Sequence, residues 1–278
     1  MSDRKEKLMA PLWLKYPNIP QGSIGWRMGF GESYAMEFSR WYRSLNHKQQ
    51  AEFDEKFPEP VCWSISEDTV KRCQDFWIYN WKAAEESVYS NERILAERRD
   101  GQKREIIYFW GHHPAKDGSV GKECFSQWYM ADFYVEHIKY CCMEQYMMSR
   151  KALLFGDKET NELIMKAGTQ GEIKGLGRKV RNFDETIWNE FKMLIVLTGN
   201  YYKFSQLTKV RQCLLGSGNA ILAEASPYDT IWGIGMAEAE AKQGDICDWR
   251  GSNLLGFALM QVREELLRLR RYENEITD

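Results

Sequence analysis

The sequence predicts an α+β fold that is mostly helical, with a small β-sheet, preceded by an all-helical N-terminal extension. Three observations predict it. Apolar residues recur at helical spacing through the first hundred positions. Short β-type runs then appear at Glu105 to Trp110, Ala131 to Val135 and Ala220 to Ala225. Long helical stripes fill much of the remainder. The change of texture divides the chain into a helical extension, 1–104, and an α+β domain, 105–278.

Taken in order, residues 11–31 read as an irregular arm with prolines at 11, 17 and 20 and a run of glycines after Gln21. That run matches neither common nucleotide-loop spacing, so a docking arm held by Trp26 and Met28 is expected rather than a phosphate cradle. A helix from about Glu32 carries Tyr34, Phe38, Trp41 and Leu45 on one face. Asn46 and Gln49 form a capping box for a second helix bearing Phe53 and Phe57. Ser66 caps a third helix with the stripe Val70, Cys73, Trp77, Trp81, Ala84 and Val88, and its charged continuation, Asn91 to Lys103, is a solvated face. Beyond the first β-type runs, a helix spans about Met143 to Phe155 and another lies near Lys158 to Ala167. A looser segment covers Gly171 to Lys179. Asp184 caps a long helix with Ile187, Trp188, Phe191, Leu194, Ile195, Thr198 and Tyr202. Leu214 to Asn219 turns into the strand ending at Glu224, and residues 236–251 form a surface excursion. The last helix begins after Asn253, with Leu255, Leu259, Val262, Leu266 and Leu269 on a core-facing seam.

Composition narrows the function classes. With 44% hydrophobic and 28% charged residues, the 278-residue chain is of the soluble globular type. A net charge of -2 argues against sequence-independent, phosphate-driven nucleic-acid binding. Eleven Trp suggest stacking surfaces for planar groups. The seven Cys show no paired spacing, which fits reduced thiols and a cytoplasmic setting. No stretch reads as a signal peptide. The longest aliphatic run, Leu194 to Leu197, falls far short of the roughly 20 residues a membrane span needs.

Chemistry concentrates in the run Cys142 to Lys151. In a helix, Glu144, Met148 and Lys151 share one face, with carboxylate and ammonium about 10 Å apart along the axis. A greasy helix with its charged residues at the core's edge would show the same spacing. His137, Cys141, Cys142 and Glu144 crowd together, but a closed zinc site needs a second ligand pair that is not there, so no metal is expected. His112-His113 has no paired nucleophile and no Gly-x-Ser-x-Gly elbow exists, so serine-hydrolase chemistry is unsupported.

Across the second half a set of polar and aromatic residues runs in a fixed order: Tyr108-Phe109-Trp110, Phe125-Ser126-Gln127-Trp128, Glu144-x-Tyr146 with Lys151, Trp188, Leu214-Leu215, and Glu224. It continues through Asp229-x-x-Trp232-Gly233-x-Gly235 and Asn253-x-Leu255-Gly256-x-x-Leu259-Met260-x-x-Arg263. In this order, over about residues 106–268, the chain resembles the YbiA-like or NADAR superfamily; residues 1–104 lie outside the resemblance. The family usually has Glu-His-Tyr where this chain has Glu144-Gln145-Tyr146, and often Ser-Asn-Phe at Ser126-Gln127-Trp128. The stretch between Gly235 and Asn253 is longer than in compact members.

The resemblance implies a mostly helical α+β domain that hydrolyses N-glycosidic bonds between ribose and a nitrogenous base. Its expected substrates are ribosylamino-pyrimidine phosphates of riboflavin synthesis, or ADP-ribose on guanine, including ADP-ribosylated nucleic acid. It requires no cofactor. Breaking C1′–N builds positive charge on the sugar and negative charge on the base, so a carboxylate near C1′ and a proton donor near the base are both useful. The implied catalytic residues are Glu144, with Asp229 or Glu224 assisting, and Lys151, which either binds phosphate or attacks C1′ as an amine. The implied substrate-binding residues are Trp128, Tyr146, Trp188, Trp232, Gly233 and Asn253, with Arg263 meeting a phosphate. The alternative is a module that binds ADP-ribose or NAD without turnover, the helical extension providing a partner surface.

Overall fold

The computed structural model describes residues 8–60, 63 and 89–277. The helix predicted from Ser66 to Val88 lies outside the described residues.

Helices α1 (Glu32–Ser44) and α2 (His47–Lys56) form an aromatic hairpin. The α1 stripe packs onto α2, with the Trp41 and Phe53 rings 5.1 Å apart and Phe53 and Phe57 at 4.9 Å. The capping box is formed: the Asn46 side chain accepts from the Gln49 N–H at 3.0 Å, and the Gln49 side chain accepts from the Asn46 N–H at 2.9 Å. In the preceding arm, Trp26 donates to the Pro20 carbonyl at 2.8 Å. Met28, expected to dock, is 80% exposed, so Trp26 anchors the arm without it. Ser90 caps α3 (Asn91–Arg99), which is charged as expected and buries only Ile94.

The extension does not stand apart from the remainder. Phe53, Phe57 and Ile94 belong to the same hydrophobic core as the later helices, and Lys56 pairs with Glu275 at 2.6 Å. The arm also accepts a backbone bond from Glu136 at the Asn18 carbonyl, 2.7 Å.

Four short strands are present among the described residues: β1 (Ile106–Phe109), β2 (Phe133–Val135), β3 (Ile138–Tyr140) and β4 (Ile221–Glu224). They form two separate pairs rather than one sheet. β1 runs parallel to β4, with Ile106 opposite Ile221 and Phe109 opposite Glu224. β2 and β3 form an antiparallel hairpin turning at Glu136, whose φ is 54°. The β3 strand escapes a pattern reading because it is three residues long and mostly exposed.

The helical layer comprises α4 (Met143–Leu154), α5 (Lys158–Lys166), α6 (Gln170–Gly177), α7 (Glu185–Gln206), α8 (Thr208–Gly216) and α9 (Leu254–Leu269). Asp184 caps α7 as expected, accepting from the Ile187 N–H at 3.0 Å. The segment read as loose is helical: Thr169 caps α6 by accepting from Glu172, which offsets the low helix propensity of its glycines. Residues 236–251 are likewise anchored, because Ala241, Ile246 and Trp249 are buried. The seam of α9 is core: Leu255, Leu259, Val262, Leu266 and Leu269 are all buried.

Helix α9 lies directly on β4. A Cβ on Gly256 would sit 2.0 Å from the Leu222 carbonyl oxygen, so only glycine fits there. Gly256→Ala is expected to destabilise the fold by about 3 kcal/mol through overpacking against backbone. The check is the urea midpoint, with the slope unchanged.

Candidate active site

Strand β4 ends at Glu224, and the loop 226–235 folds back over it. Asp229 organises this loop by accepting from the N–H groups of Ile231 at 2.9 Å and Trp232 at 2.7 Å. The Glu224 carbonyl accepts from Ile234 at 2.9 Å, and a Cβ on Gly233 would approach that same carbonyl to 2.8 Å. Asn253, at the N-cap of α9, ties both layers together. Its side chain donates to the Leu222 carbonyl at 2.9 Å and accepts from the Glu224 N–H at 3.0 Å.

Opposite stands α4. Its Glu144 N–H donates to the Gln127 carbonyl at 2.9 Å, docking the helix start onto the Ser126-Gln127-Trp128 turn. That turn is held from below by Lys203 of α7, a fully buried ammonium that donates to the Cys124 carbonyl at 2.6 Å and the Ser126 carbonyl at 3.4 Å. Met148 packs onto Gly177 of α6, where any Cβ would collide with its sulfur. This close approach sets α6 against α4, where its Lys174 and Gly177 line the site.

Between these walls is a cavity of about 670 Å³. Glu144 and Lys151 from α4 line it together with Glu224 and Asp229, and Trp128, Trp188 and Trp232 supply aromatic surface. The helical-face expectation for Glu144, Met148 and Lys151 therefore holds at the level of placement. Lys174 of α6 and Arg178 just beyond it complete the wall, with the Lys174 ammonium 5.6 Å from the Trp128 ring centroid.

The electrostatics are those of a crowded acidic centre with a basic rim. Burial pushes the Glu144 carboxyl up to about 7, opposed by Lys174 and a hydrogen bond from Trp128. Burial, then the neighbouring Asp229 and Glu144 carboxylates, pushes Glu224 up to about 8. The Glu224 Oε2 atom is enclosed and has no hydrogen-bond partner among the described residues. Burial lowers the Lys151 ammonium, while Glu144 opposes that shift. Lys151 donates to the Gly177 carbonyl at 2.9 Å and lies 4.3 Å from the Phe183 ring centroid and 5.5 Å from that of Trp188. No group of three or more His, Cys, Asp or Glu among the described residues is arranged to hold a metal.

The structure gathers seven of the eleven sequence-derived site residues around the cavity: Glu144, Lys151, Glu224, Asp229, Trp128, Trp188 and Trp232. It places the other four behind it. Tyr146 packs edge-on to Tyr140 at 5.1 Å in the core. Gly233 and Asn253 shape the loop over β4. Arg263, 1% exposed, donates to the Ser217 hydroxyl at 2.7 Å, away from the cavity wall, so it cannot meet a phosphate there as expected. Gln145, which replaces the family's His, points away too, bridging the Cys141 N–H and the Ile164 carbonyl.

The residues missed from sequence are Lys174, Arg178, Gln127 and the rim group Trp110, His112 and Tyr228. A signal existed for the first two, since they stand four apart, the spacing of one helical face, on α6 and its C-cap. The glycines of that segment concealed it.

The NADAR domain family model matches residues 108–267. A protein of Acanthamoeba polyphaga mimivirus named N-glycosidase R617 is 46% identical over 158 residues, 55% of this chain and 93% of that protein. N-glycosidase Npun_R5314 of Nostoc punctiforme is 30% identical over 146 residues, 52% of this chain and 86% of that protein. The chloroplastic riboflavin biosynthesis protein PYRR of Zea mays is 26% identical over 145 residues, 50% of this chain but only 22% of that protein.

Proposed function

The chain belongs to the NADAR domain family, and from that membership and its paired buried carboxyls we propose that it is an N-glycosidase, a hydrolase that cleaves the bond between C1′ of a phosphorylated ribose and a nitrogenous base. The observation that carries the reading is the Glu144 and Glu224 pair, two carboxyls enclosed in one cavity with both raised toward neutrality. Such a pair supplies a base and an acid at the same pH.

In this reading protonated Glu224 gives its proton to the departing base nitrogen as the C1′–N bond breaks. Ionised Glu144 stabilises the cationic sugar and takes a proton from the water that adds to C1′. The products are the free sugar phosphate and the protonated base, and proton exchange with solvent resets the pair. Asp229 strengthens the hold of Glu224 on its proton through like charge. Lys174 and Arg178 give the cavity the positive rim that a phosphate requires. Lys151 either joins them or, as the neutral amine, attacks C1′ and displaces the base that Glu224 protonates. Loss of the amine proton and opening of C1′–O4′ then give a Schiff base that water hydrolyses to the free sugar phosphate and Lys151, and borohydride trapping during turnover separates the two roles.

The substrate class we favour is a ribosylamino-pyrimidine phosphate or an ADP-ribose N-glycoside, including ADP-ribose on guanine in nucleic acid. The test is to incubate the protein with ribosylamino-pyrimidine phosphate, NAD and ADP-ribosylated DNA, following release of base and sugar. Release from at least one is expected. Tight ADP-ribose binding without release from any would establish the binding-module alternative instead. With the true substrate, kcat/KM is expected to peak between about pH 7 and 8, where Glu144 is ionised and Glu224 protonated. The limbs belong to the coupled pair rather than to either residue alone. A flat profile from pH 6 to 9 would contradict these roles.

We assign catalysis to residues 105–278, with 1–104 as an N-terminal extension whose described part shares their core. No helix among the described residues is long and apolar enough to cross a membrane. Five described cysteines are free, which supports a reducing, cytoplasmic setting.

A further inference from the structure

Two residues that line the cavity each hold an enclosed oxygen with no donor among the described residues: Glu224 at Oε2 and Gln127 at Oε1. Glu224 is accounted for by the proposed proton transfer. Gln127 is not. Its residue is only 6% exposed, and its backbone carbonyl is committed to the Glu144 N–H. An amide oxygen closed off from solvent without a partner is destabilising, because nothing offsets the loss of its bond to water. A group that brings a donor to this point recovers that cost.

What brings the donor follows from position. Gln127 is bonded through its backbone to the residue that faces C1′ in the proposed reaction. The hydroxyl next to C1′ is the 2′-hydroxyl. We infer that Gln127 is a specificity-determining residue whose amide oxygen accepts a hydrogen bond from the 2′-hydroxyl of the substrate ribose, so that the site selects ribose over 2-deoxyribose. The inference rests on the reading of the cavity as a ribose-phosphate site.

The physical gain is twofold. A hydroxyl that donates to a fixed acceptor becomes richer in electron density at its oxygen, which eases positive charge at the adjoining carbon; bonds to this hydroxyl strengthen as glycosidic cleavage proceeds. A 2-deoxy substrate leaves the amide oxygen unpaired, and sites built around a substrate hydroxyl reject analogues without it strongly. The resemblance noted above often has Asn at this position. Gln carries one more methylene, so its amide reaches further from the backbone.

The test uses ribose 5-phosphate and 2-deoxyribose 5-phosphate as probes, titrated calorimetrically into the full chain and into Gln127→Leu, with Gln127→Asn as a second variant that keeps the amide. Circular dichroism establishes that each is folded. The wild type is expected to bind ribose 5-phosphate at least about 10-fold more tightly than the deoxy sugar. In Gln127→Leu that ratio falls to about one, by weakening of the ribose probe alone, whereas Gln127→Asn keeps part of it. A ratio unchanged in folded Gln127→Leu overturns the assignment of Gln127 and leaves the glycosidase reading intact. Failure of both sugar phosphates to bind the wild type overturns the ribose-phosphate reading, and the inference with it.

Discussion

Replacing Glu144 by Gln is expected to lower kcat by about 10³-fold, within the range that a positioned acid or base contributes, while making the protein more stable at alkaline pH. The two effects have one origin. Glu144 is 4% exposed, and burial raises its carboxyl from 4.5 to about 7. The folded state thus holds a proton that the unfolded state has lost between those values. This contribution to stability is fully present below about pH 4.5 and is lost as pH rises through about 7. The Gln variant carries no such dependence. At pH 8 it should be more stable than the wild type by at most about 3 kcal/mol, and at pH 4.5 by almost nothing. Urea denaturation at the two pH values reads this directly. Near-normal turnover in the folded variant would remove Glu144 from the mechanism.

Asn253→Ala should cost about 3 kcal/mol, without the substrate-affinity change that a ligand contact would produce. Its backbone is left-handed, with φ of 51°, where Ala is strained. Its side chain serves the Glu224 N–H and the Leu222 carbonyl at once, and truncation leaves both unserved in a buried place. Asn253→Gly separates the two terms, because glycine relieves the backbone strain but restores neither bond. The variant's kcat should fall as Glu224 shifts, with KM little changed. A stable Asn253→Ala protein with a greatly raised KM would return this residue to the substrate-binding role that the sequence resemblance implied.

Asn253 also illustrates what a sequence can and cannot disclose. The order of polar residues around it identifies the family, but the same letters serve a residue that touches ligand and one that ties two backbones together. Arg263 is the parallel case: a cation near the end of a family motif reads as a phosphate ligand, yet it is spent on Ser217 in the core. By contrast Glu144 and Lys151 were legible, because helical periodicity alone puts them on one face, and the cavity needs only that. Lys174 and Arg178 were hidden by Gly171, Gly175 and Gly177, whose low propensity masks a helix that tertiary packing onto Met148 supports. The pairing of β1 with β4 was not legible either. Runs of four residues carry no record of which distant run they meet.

That pairing joins segments more than a hundred positions apart. Closing so long a loop carries a chain-entropy cost before any contact returns it, and contacts of this kind slow folding. The α4 helix can form from local interactions, whereas Glu224 reaches it only when β4 has found β1. A nascent chain emerging from the ribosome therefore carries one carboxylate of the pair long before the other, and can assemble the candidate site only when synthesis has passed the fourth strand.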